Sequence, residues 1–153
     1  MSALLDLQVA CEGMQLPTAD HFQLWLDAAL DGAGHPGAEI TIRLVSSEES
    51  QQLNQQYRDR PKPTNVLSFP FEAPAGIPIN LLGDLVICAE VVEQKARAQN
   101  KPLLHHWAHM TIHGALHLLG YDHIDDEDAR QMEEMEITIL AKLAIDDPYQ
   151  DQE

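Results

Sequence analysis

The chain has 153 residues, 44% of them hydrophobic and 22% charged, with a net charge of −16. This predicts one domain, 1–153, of ordinary soluble globular composition and large enough to bury a sizeable core. It excludes a membrane span, since no apolar run nears the roughly 20 residues required, and it excludes the strongly basic face of a non-specific nucleic-acid binder.

Charge and cysteine usage narrow the class further. Residues 122–153 carry 12 acidic and 2 basic residues, against 13 and 7 in residues 1–121. Six of the nine Lys and Arg residues fall in two short groups, Arg58/Arg60/Lys62 and Lys95/Arg97/Lys101, which allows a local basic cleft on an acidic protein. The stretch Met1 to Asp6 has neither the basic start nor the cleavage pattern of a secretory signal. Two isolated cysteines, Cys11 and Cys88, make no disulfide framework, and a cytoplasmic location is expected.

In chain order, residues 3–10 alternate weakly and predict a first strand. Thr18 is a plausible N-cap for a helix with Phe22, Trp25, Leu26 and Ala29 on its apolar stripe. Gly32, Gly34, Pro36 and Gly37 break it. Residues 39–45 alternate with Ile40, Ile42 and Leu44 on one face, a second strand. Ser46 or Ser47 caps a second helix, with Glu48 or Glu49 placed to close a capping box, and this helix runs to about Arg58. Pro61 and Pro63 stop it. Residues 65–69 predict a strand, 70–83 a Pro/Gly-rich loop, and 84–88 a short apolar strand central to a sheet. A helix follows from about Glu90 to Gln99.

Pro102 can open the next helix, which reaches Leu119 and is apolar on nearly every side, as a buried central helix would be. The acids Asp125 to Asp128 suit the start of a last helix, about 126–143, by complementing its dipole. From Asp146 the acidic tail is expected to fray. The predicted class is α+β, a small mixed sheet packed with helices around one central histidine-bearing helix, metalloprotease-like.

That central helix carries His105, His109, His113 and His117 at four-residue spacing, so one stripe holds four imidazoles and periodicity alone selects no ligand pair. Gly120 and His123 break the tie. The glycine permits a left-handed turn after the helix, and the turn brings a third imidazole back toward His113 and His117. Three neutral imidazoles with a fourth position open are the ligand set of a catalytic zinc site, although Ni²⁺ or Fe²⁺ also accept imidazoles. The position after the first histidine, where H-E-x-x-H peptidases carry their general base, is Gly114. His109 reads as a hydrogen-bonded core residue, with an outer-sphere or substrate role as the alternative. His105 and His106 read as surface or outer-sphere residues, and His21 and His35 as exposed. Asp122 can orient an imidazole, hold a water or stabilise the turn.

The run His113 to His123 resembles the signature of the YbeY family of bacterial metal-dependent endoribonucleases. So do Lys62 to Pro70, Leu82 to Ile87, and Tyr57-Arg58, in family order. One departure is Asn65, where many relatives have Asp, so an acidic role there does not carry over. The resemblance implies one zinc ion on His113, His117 and His123, with His113 also counted as catalytic, and a functional Arg58 in the cleft near the metal. It implies cleavage of single-stranded RNA in maturing the 3′ end of small-subunit (16S) ribosomal RNA, in ribosome assembly and in ribosome quality control. Its implied partners are the small ribosomal subunit and its proteins, and an Era-type GTPase.

Zinc and arginine without a carboxylate base suit a phosphodiester better than an amide, whose leaving nitrogen needs a proton delivered. RNA brings its own nucleophile, the 2′-OH. The alternatives are a metallopeptidase with metzincin-like ligand spacing, its base supplied from elsewhere, and a non-catalytic assembly factor with a structural zinc.

Overall fold

The computed structural model describes residues 3–11, 16–35, 37–60, 64–71, 81–121 and 125–149. Its elements follow the order β1 (Leu4–Ala10), α1 (Ala19–Gly32), β2 (Glu39–Val45), α2 (Ser47–Arg58), β3 (Val66–Pro70), β4 (Leu81–Cys88), α3 (Ala89–Ala98), α4 (Leu103–Leu118) and α5 (Asp126–Lys142). The class is the α+β arrangement expected, with four strands in the order β1-β2-β4-β3. β1, β2 and β4 run parallel, and β3 pairs antiparallel with the outer side of β4. β4 starts three residues earlier than its apolar run suggests, because Leu81 to Gly83 already pair with β2 or β3.

Alternation in the strands builds two apolar faces. Ile40, Ile42, Leu44, Leu85 and Ile87 point to the larger core, which α1, α4 and α5 cover. Val45, Leu67, Val86 and Cys88 point the other way, onto Leu53 of α2 and Val91 of α3. α4 is buried on most of its circumference, including Trp107, Ala108, Ile112, Ala115 and Leu116. It lies against the β3–β4 side of the sheet, with Gly114 at the contact. A Cβ on Gly114 would stand 2.8 Å from Leu85 Cδ2 and 3.1 Å from Val66 Cγ2. A helix can approach this sheet so closely only where it has no side chain.

The caps match the sequence in part. Thr18 caps α1, and His21 closes a capping box with it, a role its sequence position did not suggest. Ser46 caps α2, but the Glu49 carboxylate turns to Arg43 at 2.7 and 3.1 Å instead of back to the cap. Asp125 caps α5 by accepting from Asp128 N, as the acidic start predicts. After α5 the chain does not fray at once. Ala144 takes a left-handed turn at φ 61°, and Ile145 N donates to Leu140 O at 3.0 Å. The segment through Tyr149 then folds back toward α4, with Pro148 O accepting from Lys101 Nζ at 2.7 Å.

Candidate metal centre

The histidine stripe of α4 faces α5, and what α5 presents to it is a carboxylate. Glu136 has no exposed surface. One of its oxygens lies 2.8 Å from His113 Nδ1 and the other 2.8 Å from His109 Nε2. The Tyr149 hydroxyl donates to the same carboxylate, at 2.7 Å to one oxygen and 3.1 Å to the other. Three donors thus converge on one buried charge, which is how such a charge is tolerated.

The protonation states follow from this geometry. Burial on its own would raise the Glu136 pKa, but the hydrogen bonds from His109 and His113 outweigh it and bring it down to about 2. Glu136 is therefore an acceptor only, so the imidazole nitrogens facing it carry their protons. In the tautomer with that proton on Nδ1, the His113 lone pair is on Nε2, the form a metal ligand takes. Burial and the adjacent Glu136 push the Tyr149 phenol well above its ordinary value, which keeps it a donor.

Among the described residues, His109, His113 and Glu136 form the group whose ligand atoms, all within 4.8 Å of one another, can hold a metal ion. The His117 ring lies one turn further on, its centroid 4.8 Å from that of His113 with the planes at 76°. His113 and His117 are both only partly buried, whereas His109 and Glu136 are enclosed. Gly120 has φ 101°, so the left-handed turn expected after α4 is present, closed by Tyr121 N donating to Leu116 O at 3.1 Å. His123 and Asp122 lie outside the described residues.

Arg58 stands exposed in the last turn of α2. Its neighbour Tyr57 lies edge-on to Phe69 of β3, ring centroids 5.1 Å apart. β3 in turn meets α4, where Ser68 Oγ donates to Gly114 O at 3.4 Å. Through Tyr57, Phe69 and Ser68, the end of α2 is linked by β3 to α4. Arg60 is also exposed, while Lys62 lies outside the described residues. The second basic group is largely engaged in structure, Arg97 with Glu93 and Lys101 with Pro148 O.

Two sequence expectations change. His106, expected at the surface or in the outer sphere, is buried at 3% exposure, and burial first, then His109, Lys101 and Lys95, push its pKa down to about 4. Gly114 is explained by the close approach of α4 to the sheet, so its missing carboxylate follows from packing and is not in itself a sign of the substrate. Glu136 and Tyr149 escaped the sequence reading altogether. The one available signal for Glu136 was a carboxylate within the apolar stripe Met132, Ile139, Leu140 of α5.

A mixed α+β fold with a buried carboxylate behind a helical histidine stripe defines the class: a candidate metalloprotein. The model of the family described as endoribonuclease YbeY matches residues 10–144. The endoribonuclease YbeY of Colwellia psychrerythraea is 60% identical over 155 residues, covering 99% of this chain and all of that protein. The chain belongs to the YbeY endoribonuclease family. The solution structure of TM1509 from Thermotoga maritima matches in fold with a TM-score of 0.58 at 24% identity, over 96% of this chain and 97% of that one.

Proposed function

We propose that this chain is a metal-dependent endoribonuclease that cleaves single-stranded ribosomal RNA. Family membership supports the reaction class. The observation that carries the metal assignment is the 2.8 Å hydrogen bond between His113 Nδ1 and Glu136. A carboxylate behind an imidazole fixes its tautomer and raises its basicity, the usual support for a metal-ligating histidine. The ion we assign is one zinc on His113 Nε2, His117 and His123, with Glu136 behind His113 rather than in the coordination sphere. An ion placed instead between His109, His113 and Glu136 would have to displace both imidazole protons and the Tyr149 hydroxyl from a fully enclosed carboxylate.

Zinc at this position supplies a Lewis acid for a phosphoryl oxygen, or a bound water of lowered pKa. Arg58 offers a planar, always-charged fork to a phosphate oxygen and to charge growing in the transition state. The peptidase alternative requires a general base from outside the motif, since position 114 has no room for a side chain beside Leu85 and Val66. By the family resemblance, the substrate is small-subunit ribosomal RNA near its 3′ end, the setting is ribosome assembly and quality control in the cytoplasm, and the partners are the small subunit and an Era-type GTPase.

Metal analysis joined to ribosomal RNA cleavage tests the reading. The parent is expected to bind about one zinc and cleave; His113→Ala to lose both; and Arg58→Ala to keep the zinc and lose about 10²-fold or more in rate, the usual scale for removing a preorganised transition-state donor. Undiminished cleavage by Arg58→Ala would remove that residue from the mechanism.

A further inference from the structure

Tyr149 comes from the last described stretch of the chain, yet it reaches the most enclosed carboxylate among the described residues. Its hydroxyl donates to Glu136 at 2.7 Å and lies 3.2 Å from His109 Nε2, and its ring stands edge-on to the His109 ring at 5.4 Å. The segment bearing it is fastened on both sides. Ile145 N donates to Leu140 O at the end of α5, and Lys101 Nζ donates to Pro148 O beside the start of α4. Tyr149 N is itself held by Asp147 at 2.8 Å.

Two imidazole donors, one on each oxygen, orient this buried carboxylate. The Tyr149 hydroxyl, from a different element, reinforces that orientation with a third hydrogen bond. Tyr149 holds at 2.7 Å the oxygen that also accepts from His109, and reaches at 3.1 Å the oxygen that faces His113 Nδ1. We propose that Tyr149 is a positioning residue of the metal centre, acting through Glu136 to set the orientation of His113, so that the C-terminal segment belongs to the site. This rests on the reading that His113 binds the zinc.

The test compares the parent, Tyr149→Phe, Glu136→Gln and the double variant in the full chain. Zinc affinity is measured by competition with a chromophoric chelator, and the site geometry by the visible spectrum of the Co²⁺-loaded proteins. Tyr149→Phe keeps the ring against His109 and removes only the hydroxyl. It is expected to weaken zinc binding about 10-fold, the low end for loss of an outer-sphere partner, and to shift the Co²⁺ bands. In the Glu136→Gln background the same change is expected to add little, because its effect is routed through that carboxylate. Equal zinc affinity and identical Co²⁺ spectra in parent and Tyr149→Phe would overturn the role of Tyr149 while leaving the zinc site standing. An equal 10-fold loss in both backgrounds would show a merely structural effect and overturn it as well. A parent that binds no zinc would overturn both this role and the reading beneath it.

Discussion

Glu136 and His106 are both buried ionisable residues, and they show how differently a protein can treat such a group. Glu136 has donors on both oxygens and stays charged. Both His106 ring nitrogens lack a hydrogen-bond partner among the described residues, and His106 stays neutral. The sign of each contribution to stability follows. The His106 pKa falls from 6.5 to about 4 on folding, so its contribution is fully present above pH 6.5 and is lost as pH falls toward 4. A shift of that size corresponds to about 3 kcal/mol. Glu136, depressed to about 2, acts in a lower window, losing its contribution below its ordinary value of 4.5. Chemical unfolding of metal-free protein is therefore expected to lose stability steeply between pH 6.5 and 4, and His106→Phe to flatten that loss. A parent and variant with parallel pH profiles would show that His106 does not titrate with unfolding. At this scale the sequence displayed the histidines plainly. Glu136 and Tyr149 stayed hidden because they lie 23 and 36 residues beyond His113, and only the packing of α5 and the turn at Ala144 bring them to it.

Between elements, the decisive contact is α4 on the sheet. Its helix period, its apolar character and its glycine turn were all visible in residues 102–120. The reason for Gly114 was not, because it depends on Leu85 and Val66 in strands far off in sequence. Gly114→Ala improves local helix propensity by about 1 kcal/mol, yet it places a methyl 2.8 Å from Leu85 Cδ2. The packing term wins: overfilling a tight core costs about 1–3 kcal/mol, so Gly114→Ala is expected to lower the melting temperature and, by tilting α4, to weaken zinc binding. A melting temperature at or above the parent's would contradict the close-approach account. Other elements show the same limit. The Ser46 cap is a local matter and reads directly. The diversion of Glu49 to Arg43 requires knowing that β2 ends beside the start of α2.

For the molecule as a whole, the uneven charge acquires a location. Among the described residues, Asp125, Asp126, Glu127 and Glu134 lie on exposed positions of α5 and its cap, Asp128 and Glu133 are half-buried, and Glu136 alone of that helix's acids is buried. Of the two basic groups, the one near residue 58 presents exposed Arg58 and Arg60, and the other presents exposed Lys95 and Arg97, the latter paired with Glu93, while Lys101 is held by the C-terminal segment. The class, the sheet and the histidine stripe could be read from composition and spacing, since those are local or periodic signals. The carboxylate behind His109 and His113 could not, since it is set by which face of α4 meets α5. The central claim is that the zinc takes His113 and His117 while His109 stays with Glu136, and zinc content per chain tests it most directly. Parent and His109→Gln are expected to retain about one zinc and the melting-temperature rise that comes with it, while His117→Ala loses both. Loss of zinc in His109→Gln with retention in His117→Ala would place the ion between His109, His113 and Glu136 and contradict the account.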